Sequence, residues 1–146
     1  EALQSSGLLR GLSDADRALV EAAMHQLRVP AGGVVLRKGD PSDEMMLVLE
    51  GSASVVVRDA TGAHMRLSTV LPGATLGEIG FLDRASRSAD VIAKTDLVLA
   101  CLDREHFEQF GQSHPHIVQQ LLANIAVEIA ARLRSVSAML TARNRA

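Results

Sequence analysis

The sequence predicts a mainly β domain in which helices flank a central series of short strands. Helical spacing of apolar residues occurs near the two ends of the chain, while turn residues recur at short intervals between residues 28 and 103. The apolar segments between those turns are too short for typical helices. Many short strands at near-even spacing favour an antiparallel sandwich, jelly roll or barrel over a parallel α/β sheet.

A first helix is predicted from about Ser13 to Gln26. Ser13 precedes Asp16 by three residues, a spacing typical of an N-cap hydroxyl followed by an acidic first turn. Apolar residues then follow at helical spacing, namely Leu19, Val20, Ala23, Met24 and Leu27. A proline and two glycines within residues 30–33 end this pattern. Residues 1–27 are therefore assigned as an N-terminal helical part.

Six strands are predicted in the β part of the chain, which spans residues 28–103. They cover residues 34–37, 45–50, 52–57, 64–70, 89–93 and 97–102. Turn residues separate them, among them Gly39-Asp40-Pro41-Ser42, Glu50-Gly51 and Pro72-Gly73.

Two helices are predicted in residues 104–146. Asp103 can cap a short helix that stops near Gly111, and a long helix begins near Pro115 because proline is tolerated in a first turn. The long helix carries an apolar stripe of Val118, Leu122, Ile125, Ile129, Leu133, Val136 and Leu140. This stripe can pack on the β core of the same chain, pair with the same helix of a second subunit, or do each on different turns.

Composition narrows the class of protein. A chain of 146 residues with 47% hydrophobic and 22% charged residues fits one globular domain. The net charge of -2 and an aromatic content of three Phe argue against direct nucleic-acid binding. Cys101 lies in an apolar run, so we expect a buried thiol in a reducing compartment rather than a disulfide.

Neither a membrane span nor a leader peptide is recognisable. No apolar stretch approaches the roughly 18 residues of a membrane helix, and no charged, apolar and small-residue leader opens the chain. We therefore expect a cytoplasmic location, either free or as the cytoplasmic domain of a membrane protein.

One short segment, residues 76–89, carries the strongest chemical signal. Gly77 permits close backbone approach, Glu78 supplies acceptors suited to vicinal hydroxyls, and Arg87 supplies a planar fork suited to a phosphate diester. Backbone N–H groups after Gly77 also face a site for an anion. This combination predicts a site for a cyclic nucleotide, and the alternative is a surface ion pair between Glu78 and Arg87.

These residues, together with segment 39–43 and the turn at 50–51, resemble the cyclic nucleotide-binding domain family. That family includes catabolite activator proteins, protein kinase A regulatory subunits and cyclic nucleotide-gated channels. The resemblance implies an eight-stranded antiparallel jelly roll, or double-stranded β-helix, with an N-terminal helix and two C-terminal helices. It also implies that residues 1–146 form a single cyclic nucleotide-binding domain whose phosphate-binding cassette is segment 76–89.

The resemblance further implies roles for individual residues. Glu78 matches the acid that accepts from the ribose 2′-hydroxyl, and Arg87 matches the arginine that binds an equatorial phosphate oxygen. Ser88 matches a position that often bears a hydroxyl beside the phosphate, and Ala89 can add a backbone donor. The expected ligand-binding set is Gly77, Glu78, Ile79, Arg87, Ser88 and Ala89. The cassette has Leu76 and Gly80 where phenylalanine and alanine are frequent in the family.

A lid over the purine often comes from the last helix in this family. The candidates here are Arg132, Arg134 and Ser135, with Ser137 nearby, and the alternative is that the arginines only solvate the helix end. The ligand is expected to be cyclic AMP on family frequency, with cyclic GMP as the alternative.

The expected function is a regulatory sensor that transmits ligand binding through its C-terminal helices to an attached output domain or partner. The alternative is a ligand-free interaction or dimerisation module of the same fold. No catalytic residues or metal ligands are assigned. The histidines are scattered, and no set of nucleophile, base and orienting group stands out; these histidines are His25, His64, His106, His114 and His116.

Overall fold

The computed structural model describes residues 6–87 and 89–145, with side chains through residue 141. Its elements, in chain order, are α1 (Asp14–Ala23), β1 (His25–Val29), β2 (Val34–Leu36), β3 (Glu44–Glu50), β4 (Ala53–Arg58), β5 (His64–Val70), β6 (Thr75–Leu76), α2 (Glu78–Asp83), β7 (Asp90–Ala93), β8 (Leu97–Asp103), α3 (Arg104–Ser113) and α4 (Pro115–Arg145).

The strands form two four-stranded sheets, with the orders β1-β8-β3-β6 and β2-β7-β4-β5, and every pair is antiparallel. This confirms the prediction of a mainly β, eight-stranded jelly roll with flanking helices. An aliphatic core joins residues of both sheets, including Val29, Met46, Val48, Ala53, Val91, Leu97 and Leu99. Cys101 belongs to the same core, and burial raises the pKa of its thiol to about 12, so the predicted buried thiol is confirmed.

The first helix begins where the sequence predicts but ends earlier. Ser13 caps α1 by accepting a hydrogen bond from the Asp16 N–H at 3.1 Å. The helix stops at Ala23, so the predicted end at Gln26 and the helical part reaching residue 27 are wrong. Residues 25–29 instead pair with β8, because cross-strand packing there outweighs an apolar spacing that fits helix and strand alike.

Two of the eight strands, β1 and β6, were not predicted from the sequence. β6 has only two residues, which pair with Met46 and Leu47 of β3, and so short a run has no recognisable alternation. The six predicted strands all occur, and β5 has the predicted bounds of 64–70.

The two C-terminal helices follow the prediction. Asp103 caps α3 by accepting from the His106 N–H at 2.8 Å, although the helix continues past Gly111 to Ser113. The 31 residues of α4 span roughly 46 Å at the α-helical rise. None of the helices that the structure describes combines the length and apolar character that a bilayer crossing needs.

The apolar stripe of α4 divides into two halves. In its first half Ile125 belongs to a second core and Val118 and Ile129 pack against that core, but Leu122 is 39% exposed. The prediction missed Ile117 and Leu121, which supply the rest of the α4 contribution; the core consists of Leu8, Leu9, Val20, Met45, Phe81, Leu102, Phe110, Ile117, Leu121 and Ile125. Its second half lies on the surface, where Leu133, Val136 and Leu140 are 66%, 52% and 54% exposed. Packing on the chain's own core therefore accounts for Val118, Ile125 and Ile129 of the predicted stripe.

Candidate functional site

The predicted cassette runs from the end of β6 through α2 to the residue before β7, and Gly77 precedes α2 within it. Gly77 has φ +75°, in the left-handed region that glycine adopts at little cost. A Cβ at this position would lie 2.3 Å from Nη1 of Arg87. Both the backbone conformation and the available space therefore require glycine at residue 77.

Arg87 is buried beside Gly77 and is held by backbone carbonyls. Its Nη1 donates to the Gly77 carbonyl at 2.7 Å, and its Nη2 donates to the Glu44 carbonyl at 2.6 Å. The Nε of Arg87 is buried without a hydrogen-bond partner among the described residues. Burial lowers the pKa of the guanidinium, an effect opposed by the carboxylates of Glu44 and Asp43, and the group remains a cation at neutral pH.

The backbone of Arg87 is fixed to the turn at residues 39 and 40. The Arg87 N–H donates to the Asp40 carbonyl at 2.9 Å, and the Arg87 carbonyl accepts from the Gly39 N–H at 2.8 Å. With both its main chain and its guanidinium constrained, Arg87 has little conformational freedom left to lose on binding an anion.

Glu78, the first residue of α2, is 2% exposed and pairs with the last helix. Its Oε1 accepts a hydrogen bond from Nη2 of Arg132 on α4. The sequence predicts Glu78 as an acceptor for ribose hydroxyls, and in this structure a guanidinium occupies that acceptor. Arg132 is 53% exposed along its side chain, so this ion pair lies between a buried carboxylate and a largely solvated arginine.

Gly80 departs from the frequent family residue for a local reason. A Cβ on Gly80 would lie 2.4 Å from the Ser42 hydroxyl, which donates to the Ala85 carbonyl at 2.7 Å. The Ser42 bond ties the end of the cassette to the turn that also holds Arg87. Glycine at residue 80 therefore leaves room for a cross-link that alanine would disturb.

A cavity of about 230 Å³ lies against the cassette. Among the predicted site residues, those that line it are Gly77, Glu78, Ile79, Arg87, Ala89 and Arg132. Five further wall residues belong to the predicted cassette without having been assigned a contact, namely Leu76, Gly80, Asp83, Ala85 and Ser86. Sequence reasoning missed the rest of the wall, which consists of Leu36, Val55, Thr75 and Val91. The predicted contact of Ser88 lies outside the described residues. The other lid candidates, Arg134, Ser135 and Ser137, are exposed on α4 and are not part of the cavity wall.

A second carboxylate, Glu128, lies one helical turn before Arg132. Its Oε1 accepts from the Thr75 hydroxyl at 3.4 Å, and its Oε2 is buried without a partner among the described residues. Burial raises the pKa of Glu128, with a further contribution from the neighbouring Glu78 carboxylate, while Arg132 and Arg10 oppose the shift. Two carboxylates thus lie close to a single guanidinium where α4 meets the cassette.

Arg104 connects the cassette to the C-terminal helices. Its Nη2 donates to the Ser42 carbonyl at 2.7 Å and to the Phe81 carbonyl at 2.8 Å, and its guanidinium carbon lies 4.5 Å from the Phe81 ring centroid. Phe81 also packs edge-on against Phe107 of α3, with centroids 5.1 Å apart. A displacement of α2 would therefore act directly on α3.

Comparison with known proteins agrees with this geometry. A family model described as cyclic nucleotide-binding domain matches residues 26–114, more than half of the chain. The cAMP-dependent protein kinase regulatory subunit of Aspergillus fumigatus is 32% identical over 107 residues, which cover 73% of this chain and 25% of that protein. A cyclic nucleotide-gated potassium channel of Mesorhizobium japonicum is 36% identical over 112 residues, covering 77% of this chain and 30% of the channel.

A solved structure of a catabolite activator protein has a similar fold. The catabolite activator protein of Thermus thermophilus superposes with a TM-score of 0.80 at 27% identity, over 93% of this chain and 62% of that one. The chain spans about a third or less of the length of the two curated relatives.

Proposed function

The chain belongs to the cyclic nucleotide-binding domain family, and we propose that residues 1–146 form one sensor domain that binds cyclic AMP, with cyclic GMP as the alternative ligand. The observation that carries this proposal is Arg87: a buried, backbone-held guanidinium in the wall of a cavity, whose Nε has no partner among the described residues. Domains of this family are regulatory rather than catalytic. The net charge of -2 and the few aromatic residues argue against nucleic acid as the ligand.

Arg87 is assigned to the cyclic phosphate. Its Nε has no partner among the described residues and can donate to a phosphate oxygen, while each Nη keeps its carbonyl partner and has a second N–H for the anion. Charge-assisted hydrogen bonds contribute about 1.5 to 3 kcal/mol each, so two of them supply roughly two to four decades of affinity. Backbone N–H groups at Ala89 and after Gly77 are assigned as further phosphate donors, and Ser88 as a hydroxyl donor.

Glu78 is assigned to the ribose 2′-hydroxyl, and we propose that this hydroxyl takes the Oε1 acceptor that Arg132 occupies in this structure. A ribose hydroxyl that replaces Arg132 at this acceptor weakens the contact between the cassette and α4. The cavity walls Leu36, Val55 and Val91 provide apolar contact for the sugar and base. Of the lid candidates, Arg132 is the one that contacts the cassette, and we assign it to competition with the ribose hydroxyl for Glu78 rather than to a contact with the purine.

The same exchange is our proposed route of signalling. Ligand binding replaces the hydrogen bond between Glu78 and Arg132. The resulting displacement of α2 is transmitted to α3 through the contacts of Phe81 with Arg104 and Phe107. The ligand shifts the equilibrium only by its difference in affinity for the two arrangements. The attached output domain or partner then receives a change in the C-terminal helices. We propose that this takes place in the cytoplasm, where cyclic nucleotides act.

Isothermal titration with cyclic AMP and cyclic GMP tests the proposal. We expect micromolar or tighter binding of one nucleotide and no detectable binding by Arg87→Ala. Arg84→Ala is the matched control, because Arg84 lies in the same loop but is exposed and pairs only with Glu108 among the described residues. Absence of binding by the unaltered chain, or equal binding by Arg87→Ala, would contradict the proposed site.

A homodimer through α4 is a second proposed property, favoured by the exposed half of its apolar stripe. Leu133, Val136, Met139 and Leu140 are each more than half exposed, whereas Ile117, Leu121 and Ile125 are fully buried. Sedimentation equilibrium should give a dimer for the unaltered chain and a monomer for Leu133→Glu combined with Leu140→Glu. A dimer that binds no nucleotide would support the alternative function of a ligand-free interaction module.

A further inference from the structure

Three side chains that can bind metal ions meet on neighbouring strands away from the cassette. His25 on β1 pairs directly across from Cys101 on β8, and Cys101 pairs on its other side with Met46 of β3. Glu44 lies two residues before Met46, so its side chain is on the same face of the sheet. The His25 Nε2 and the Glu44 Oε2 are 3.3 Å apart. The ligand atoms of His25, Glu44 and Cys101 all lie within 4.8 Å of one another.

The donor set has a clear chemical preference. Imidazole nitrogen, carboxylate oxygen and thiolate sulfur are the three ligand types that Zn²⁺ uses in proteins, at about 2.0 to 2.3 Å from the ion. Ligand atoms on one tetrahedral ion lie roughly 3 to 4 Å apart, so the observed separations require side-chain adjustments of about 1 Å. We propose that His25, Glu44 and Cys101 form a binding site for a divalent transition-metal ion, with Zn²⁺ as the preferred ion.

Charge balance supports a site in this partly buried position. The side chain of Glu44 is 28% exposed, that of His25 is 53% exposed and Cys101 is buried. A Zn²⁺ ion with one carboxylate, one thiolate and one neutral imidazole has no net charge, which limits the cost of desolvation. The metal–sulfur bond forms as the S–H bond breaks and the thiol proton passes to solvent, and no group is oxidised or reduced. The charge of the bound ion must outweigh the burial that raises the pKa of the Cys101 thiol.

The site is separate from the cyclic nucleotide cavity but shares one residue with its supports. None of the three ligands lines that cavity. The backbone carbonyl of Glu44 accepts from Arg87, while its carboxylate faces His25. The histidines are scattered in the sequence and gave no metal signal, because the pairing of β1 with β8 alone brings His25 next to Cys101.

Titration of the whole chain with Co²⁺, under a phosphine reductant that does not bind the metal, tests the site. We expect a thiolate-to-metal charge-transfer band in the near ultraviolet that saturates at one equivalent and is displaced by Zn²⁺. Cys101→Ser should abolish the band, and His25→Gln should weaken Co²⁺ binding by about tenfold or more. His64→Gln is the control, because His64 is an exposed histidine at a strand end outside the cluster, and it should leave binding unchanged.

The alternative interpretation is an ordinary ion pair between His25 and Glu44 above a buried thiol. No charge-transfer band in the unaltered chain, or a band that His25→Gln leaves at full affinity, would overturn the proposal. The replacement of exposed His25 keeps the test decisive even where Cys101→Ser, in the core, fails to fold.

Discussion

The two arginines of the cavity wall, Arg87 and Arg132, are held in opposite ways. Arg87 is 6% exposed and is fixed by two backbone carbonyls and by its own main chain, whereas Arg132 is largely solvated and reaches the cassette through the Glu78 carboxylate. A group with fixed partners is preorganised for a ligand, while a group with one exchangeable partner can respond to it. Under the proposed function, this difference predicts that Arg87 determines nucleotide affinity and that Arg132 determines the conformational response.

The largest expected effect on nucleotide affinity comes from replacing Arg87 with lysine. Arg87→Lys keeps the charge but loses the planar fork, so the carbonyls of Gly77 and Glu44 cannot both be satisfied while phosphate is bound. We expect nucleotide affinity to fall by about a hundredfold or more. Titration calorimetry measures this, with Arg84→Lys as the matched exposed replacement. Similar affinities for Arg87→Lys and the unaltered chain would show that charge alone suffices.

Replacement of Gly77 has the next largest expected effect, because the Arg87 guanidinium packs directly on this residue. Gly77→Ala forces a Cβ against the guanidinium and places alanine in the left-handed region, with a combined cost of about 1 to 3 kcal/mol. We expect a lower midpoint of thermal unfolding and an affinity about tenfold weaker. Gly62→Ala is the control, since Gly62 has a similar φ of +84° but open space around its Cβ. Equal effects of the two replacements would exclude a specific role of the Arg87 contact.

Replacement of Arg132, whose one partner is exchangeable, should raise nucleotide affinity instead of lowering it. Arg132→Met leaves the buried Glu78 carboxylate without its guanidinium partner, so the ligand-free domain is destabilised and a ribose hydroxyl no longer has to displace it. Because Arg132 is half solvated, we expect an effect of about 1 kcal/mol, equivalent to a three- to tenfold gain in affinity.

The control for this replacement is Arg134→Met, which removes an exposed arginine that does not line the cavity. Thermal unfolding with and without nucleotide, followed by calorimetry, separates the two contributions. A loss of affinity in Arg132→Met would assign Arg132 to direct contact with the ligand instead of competition with it.

The same contrast explains how much of the site could be predicted from the sequence. The residues of the cassette are local in sequence and carry distinctive chemistry, so Gly77, Glu78 and Arg87 could be proposed from spacing and type, and the structure places all three in one cavity wall. The carbonyls of Gly77 and Glu44 that hold Arg87 belong to the backbone, which has no sequence signature. The apolar wall was missed because Leu36, Val55 and Val91 look like ordinary strand residues until the sheets bring them together.

For the fold, the prediction failed where pairing between distant segments decides the structure. Residues 25–29 carry a pattern that fits helix and strand, and β8, some 70 residues later, selects the strand. The lid candidates differ for a related reason: the sequence places Arg132 and Arg134 on one helix, but the rotation of α4 against the cassette decides that only Arg132 faces Glu78.

Replacement of Glu128 has the smallest expected effect, and it tests the charged surroundings of Arg132. Its folded-state pKa is raised above the ordinary value of 4.5, chiefly by burial, so folding favours the protonated form. This contribution to stability is present below pH 4.5 and is lost as the pH rises through the folded-state pKa. At neutral pH Glu128→Gln, which keeps an acceptor for Thr75, should therefore unfold at a temperature a few degrees higher than the unaltered chain. This gain should disappear below pH 4.5.

The control is Glu105→Gln, which replaces an exposed acid on α3 and should show no such pH-dependent gain in thermal unfolding. A gain from Glu128→Gln that is equal at all pH values would assign the effect to packing rather than to titration.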